Sequence, residues 1–187
     1  MKELARWISI VAHPFVTGAV LAAAFGVRKS SGSAVHSVLI IVIAFVVPIS
    51  VLMVRQVRRG RWTNVDASKP SERPILFAVA FAGLLAALGW LLINDPRSFL
   101  VRGMIVFGVF LLVVALVTRW VKVSLHVAFA ALAATALCLI HSPVGYVLAA
   151  VVPLVIWSRL ALVRHTAAEV LVGLVLGVVT GGVLILL

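Results

Sequence analysis

Apolar runs of about 20 residues, each long enough to cross a bilayer as a helix, follow one another along almost the whole chain, with only short polar segments between them. No globular interior can absorb so many. The runs lie at about 7–27, 35–54, 75–93, 101–117 and 124–140, then one ending near Trp157, then 166–187. Strands of about 10 alternating residues, the mark of an outer-membrane barrel, are not the pattern. With 64% hydrophobic residues, 11% charged residues and a mean hydropathy of +1.27, the composition lies far outside that of soluble domains. The expectation is an all-α, polytopic membrane helix bundle. It would have six to seven transmembrane helices, form one integral membrane domain over residues 1–187, and carry an active site at one membrane interface.

Several boundaries have local signals. Lys2 and Arg6 precede the first run, and Ala22, Ala23 and Ala24 offer small residues such as a secretory leader uses. The run is long for a leader core and is read as an uncleaved span, with His13-Pro14 kinking it as a structural pair. The segment 28–34, rich in Ser and Gly, reads as a turn, as do Asn94-Asp95-Pro96 and His141-Ser142-Pro143. Trp7, Trp90, Trp120 and Trp157 fall near run ends, as an aromatic belt would place them. Gly173, Gly177, Gly181 and Gly182 suit the last run to close helix packing. The single cysteine, Cys138, excludes an intrachain disulfide and a cysteine-based zinc cluster. The net charge of +11 sits in loops and at run ends, which points to anionic headgroups or phosphate and away from nucleic acid.

Spanning a bilayer does not require the polar stretch from Ser158 to Glu169, which reads SRLALVRHTAAE. On one continuous helix, Ser158, His165 and Glu169 would share a face. A carboxylate beside an imidazole raises its basicity and favours a nucleophile or base, and Arg159 suits a ligand with several anionic oxygens. The same residues admit a structural account, since Thr166-Ala-Ala-Glu169 before an apolar run is a capping box. Arg159 and Arg164 also suit interface anchors.

Two other polar clusters bear on the choice. Ser124 stands where it can cap the fifth helix, with His126 in the first turn and Lys122 just before, so that free amides would face an anion. The segment 55–74 opens with Arg55, Arg58, Arg59 and Arg61 beside Trp62, a basic interface anchor, and closes on Asp66, Lys69, Glu72 and Arg73 before Pro74. With seven spans, the connections after the second, fourth and sixth share one membrane face. The three clusters then converge there.

These residues resemble the signatures of the type-2 phosphatidic acid phosphatase superfamily. Ser158-Arg159, His165 and Glu169 are similar to its third signature, which usually ends in Asp. Val123-Ser124-Leu125-His126 resembles the second, usually Pro-Ser-Gly-His. Lys69 with Arg73-Pro74 resembles the first, although Asp66 stands seven before Arg73, where the family carries Lys. The resemblance implies that His165 attacks phosphorus to form a phosphohistidine, Glu169 orients and activates it, and His126 protonates the leaving alcohol. It also implies that Lys69, Arg73, Ser124 and Arg159 hold the phosphoryl oxygens. Lys122 is a further cation that compensates for the altered first signature. No metal or other cofactor is implied.

The substrate expected on this basis is a lipid phosphate or diphosphate, isoprenoid-linked or glycerophospholipid, presented by the bilayer. Twelve Lys and Arg fall on the site side (Lys2, Arg6, Arg55, Arg58, Arg59, Arg61, Lys69, Arg73, Arg119, Lys122, Arg159, Arg164) and four on the other. The excess favours a cytoplasmic site in a bacterial or archaeal cell membrane. Two rivals remain: a catalytically impaired relative that binds or transports anionic lipid, and an acid phosphatase acting on soluble esters.

Overall fold

The computed structural model describes residues 1–28, 32–64, 67 and 69–186. Among these the fold is all-α: α1 (Lys2–Val11), α2 (Pro14–Arg28), α3 (Gly32–Arg58), α4 (Arg73–Asn94), α5 (Phe99–Val117), α6 (Leu125–Leu139), α7 (Pro143–Ala161) and α8 (Ala167–Leu186). A 3-10 turn at Pro70–Glu72 precedes α4. Six stretches are long and apolar enough to cross a membrane, α1 and α2 together making the first. The exception is α6, with 15 residues. It rises about 22 Å, against about 30 Å of hydrocarbon. The turn expected at 28–34 falls partly on 29–31, outside the described residues, and α3 already begins at Gly32.

The chain forms two compact units, Met1–Lys29 with Trp120–Leu187, and Ser30–Arg119. In the first, α6 is the central pillar, packed against α2, α7 and α8. Six of its residues are Ala, and ten of its 15 residues are buried. Such short side chains let neighbouring backbones come close. A Cβ on Gly173, Gly177 or Gly181 of α8 would meet the carbonyl oxygens of Ser124, Ala128 or Leu132 at 2.7, 2.3 and 2.6 Å. Both series advance by four in the same sense, so α6 and α8 run parallel and begin at the same end. Val127, Ala130, Ala134, Val152, Val155 and Val170 form the core beneath that end.

Two tight turns return the chain to it. Between α6 and α7, His141 adopts φ 54°, with Ser142 N–H bonding the Leu137 carbonyl at 2.9 Å. Between α7 and α8, Val163 adopts φ 52°, with Arg164 N–H bonding the Arg159 carbonyl at 3.1 Å. Glycine commonly fills this left-handed closing position, and a β-branched residue there is strained. The expected kink at His13-Pro14 is a full break. α1 stops at Ala12, Pro14 opens α2, and His13 Nδ1 accepts the Phe15 N–H at 3.2 Å.

The second unit stacks α3 on α4 and α4 on α5 around Leu84, Ala87, Leu91, Leu100, Val101 and Met104. Gly83 permits a close approach there, since a Cβ on it would lie 2.7 Å from the Ala44 carbonyl. Its polar connection is organised by Glu72, buried to 5% exposure. That carboxylate accepts the Thr63 and Lys69 amides, both at 3.0 Å.

Candidate functional site

The polar groups of the first unit gather where α6 and α8 begin and α7 ends. Glu169, in the first turn of α8, accepts from the Thr166 amide at 3.2 Å, while its own amide donates to Thr166 Oγ1 at 3.3 Å. This is the capping box read from the sequence. The same carboxylate oxygen lies 2.9 Å from His165 Nδ1, so one side chain makes both the cap and the imidazole pairing. A side chain that already fixes a helix start presents its carboxylate to the imidazole in one orientation. The His165 side chain is only 5% exposed.

The one-helix reading of Ser158 to Glu169 is corrected. Ser158 belongs to α7, Glu169 to α8, and the left-handed Val163 between them breaks the helix before His165. His165 therefore meets Glu169 from the residue preceding the cap. Ser158 does not join them: its hydroxyl donates to the Val155 carbonyl at 2.8 Å.

Ser124 occupies the expected N-cap position of α6, but its side chain makes no capping bond. Its amide instead donates to the Glu169 carbonyl at 3.3 Å, joining the starts of α6 and α8. The Ser124 Oγ is fully buried and has no hydrogen-bond partner. His126, in the first turn of α6, is 5% exposed, and its Nε2 is likewise without a partner. Its ring bonds the Ser9 main chain and lies near Arg159, His13 and His165. The His13 ring meets it edge to face, centroids 5.2 Å apart. Orphaned polar atoms this deeply buried cost free energy unless water or a ligand meets them, so two at one helix start make it a candidate binding place.

Arg159, 2% exposed, donates from Nη1 to Ser9 Oγ. Lys122 Nζ donates to the Arg164 carbonyl at 2.7 Å and lies 3.7 Å from Glu169 Oε2. It thus ties the α7–α8 connection to the carboxylate. The structure brings together Lys122, Ser124, His126, Arg159, His165 and Glu169. Lys69 and Arg73 belong to the second unit and have partners there. Lys69 is exposed and bonds Glu72 through its amide, whereas Arg73 is 3% exposed and donates from Nε to the Ala67 carbonyl at 3.5 Å. Asp66 lies outside the described residues. Among those described, no three His, Cys, Asp or Glu side chains are placed to hold a metal ion.

One contributor escaped sequence reasoning. Ser9 is a polar residue within the small-residue stripe Ala5, Ser9, Ala12, which is buried on α1 and faces α7. The spacing of that stripe was a usable signal. No protein-family model, curated protein or solved structure matches this chain.

Proposed function

We propose that this protein is a membrane lipid phosphate phosphatase that works through a phosphohistidine on His165. The observation that carries the proposal is the pairing of two imidazoles of different environment at one helix-start cluster. One is held 2.9 Å from a carboxylate, and the other is buried with its Nε2 unpartnered.

In this reading Glu169 holds the Nδ1–H of His165 and stabilises the positive charge that develops when Nε2 attacks phosphorus. The bond between phosphorus and the lipid oxygen breaks, and His126 Nε2 delivers a proton to that oxygen. Water then attacks the phosphohistidine, returning its proton to His126 as the P–N bond breaks and inorganic phosphate leaves. Arg159, the Ser124 hydroxyl and the amides at the start of α6 bind the phosphoryl oxygens and offset the charge of the transition state. The step uses only side chains and water.

The substrate class is an isoprenoid-linked or glycerophospholipid phosphate or diphosphate, consistent with a site built at the ends of apolar helices. The Lys and Arg distribution supports a cytoplasmic site. The test is phosphate release by purified protein in detergent, with and without chelator, from phosphatidic acid, phosphatidylglycerophosphate, a prenyl phosphate and a prenyl diphosphate. Chelator-resistant release that disappears in His165→Ala is the expected result. Release that survives in that variant refutes the mechanism. No release, combined with lipid binding that survives His165→Ala, replaces it with a lipid-binding role.

A further inference from the structure

None of the residues that resemble the three signatures comes from α1, yet α1 touches two of them. Its buried face consists of Ala5, Ser9 and Ala12, and Ser9 is the polar member, 7% exposed. A serine inside a helix usually returns its hydroxyl to a carbonyl one turn back. Here the hydroxyl accepts from Arg159 Nη1, 150 residues further along the chain. The main chain of the same residue bonds the His126 ring.

The helix break explains why that main-chain carbonyl is available. In an uninterrupted helix, the His13 N–H would bond the Ser9 carbonyl. α1 ends instead, and the His13 N–H bonds the Ile10 carbonyl at 3.2 Å. The Ser9 carbonyl is left as one of the end groups that a helix must satisfy from outside, and the His126 imidazole satisfies it. His13 then packs its ring against His126 from the next position beyond the break. The break at His13-Pro14 thus fits α1 to the start of α6.

We infer that Ser9 is a positioning residue, whose hydroxyl aims the Arg159 guanidinium and whose carbonyl sets the His126 ring, so that phosphate-binding cation and proton donor are oriented together. The inference rests on the phosphatase reading and extends it to a helix outside the signatures. Accepting one Arg159 N–H in a fixed direction leaves the rest of that planar fork aimed. Holding one His126 nitrogen as donor leaves Nε2 to face the leaving oxygen.

The experiment compares wild type, Ser9→Ala and Ser9→Thr in detergent for phosphate release, inhibition by inorganic phosphate and thermal midpoint. Ala fits a face already built from Ala5 and Ala12, so Ser9→Ala folds. Its kcat/KM is expected to fall about tenfold and the inhibition constant for phosphate to rise about tenfold, as loss of one hydrogen bond to a charged group predicts. Ser9→Thr keeps the hydroxyl and restores both to within a few-fold. An active wild type with Ser9→Ala within twofold on both measures overturns the role of Ser9 alone. So does a fall in kcat/KM matched by a lower thermal midpoint with an unchanged inhibition constant. A wild type that releases no phosphate from any substrate overturns the phosphatase reading, and the role of Ser9 with it.

Discussion

Adding one methyl group to Gly177 tests the packing on which the site stands, whatever the site does. A Cβ there would lie 2.3 Å from the Ala128 carbonyl oxygen and 2.8 Å from the Ala131 Cβ, whereas ordinary contact begins at 3.4 Å. Both neighbours belong to the backbone or to a side chain with no rotamer, so neither can turn aside. The helices must part by about 1 Å, and overpacking of this kind costs about 1–3 kcal/mol. Gly182, five residues on in the same helix, is the internal control, because a Cβ there meets nothing within 4 Å. Gly182→Ala should gain about 0.5–1 kcal/mol from lost backbone freedom alone. For a chain of this size each kcal/mol shifts the thermal midpoint by roughly 2–4 °C; the two variants share the backbone gain and differ by the packing cost, so they should separate by about 2–12 °C. Tryptophan fluorescence during heating in a mild detergent reads this directly. Turnover of Gly177→Ala should fall up to about 100-fold, because parting α6 from α8 moves Ser124 and His126 away from His165 and Glu169. If Gly177→Ala melts at or above Gly182→Ala, the parallel α6–α8 register is wrong.

Two further substitutions test the α7–α8 connection. Glu169→Gln keeps a cap acceptor but removes the charge facing His165 and Lys122, and turnover should fall by about 100-fold while the midpoint drops by less than about 3 °C. Glu169→Asp, the residue usual in the resembled signature, shortens the arm by one methylene and should cost about tenfold in turnover. Activity equal to wild type in either would remove Glu169 from the proposed mechanism. Val163→Gly should raise stability by about 0.5–1 kcal/mol, the left-handed strain relieved less the extra freedom of unfolded glycine. An unchanged or lower midpoint in the heating assay would refute strain at that turn.

The helical architecture was legible because the bilayer enforces it: span length, Pro at helix starts and polar turns are all local signals. The capping box was legible for the same reason, and so was the His165–Glu169 pair, four residues apart. What misled was treating Ser158 to Glu169 as one helix, since no propensity rule places a valine at φ 52°. Ser124 was rightly set at the start of α6, yet its hydroxyl was expected to cap, and only the tertiary arrangement leaves it unbonded. Lys122 was read as a phosphate-side cation; its contacts to Arg164 and Glu169 come from a chain return that its neighbours in sequence do not encode. Ser9 lay on a small-residue stripe that was legible, but its role was not, because its partner Arg159 is 150 residues away.

The shortness of α6 bears on how the molecule is made. At about 22 Å, it is too short to persist as a lone crossing, and its alanines give it less apolar surface per turn than Leu or Val would. The turn at Ile140–Ser142 joins it to the 19-residue α7, so the two can enter the bilayer as a hairpin, the longer helix carrying the shorter. Only when α8 follows, presenting Gly173, Gly177 and Gly181, is the opposite side of α6 covered by backbone. The segment that completes the pillar and sets His165 beside it is therefore α8, made after the hairpin it covers. Removal or delayed insertion of α8 should expose α6 to degradation before any earlier helix.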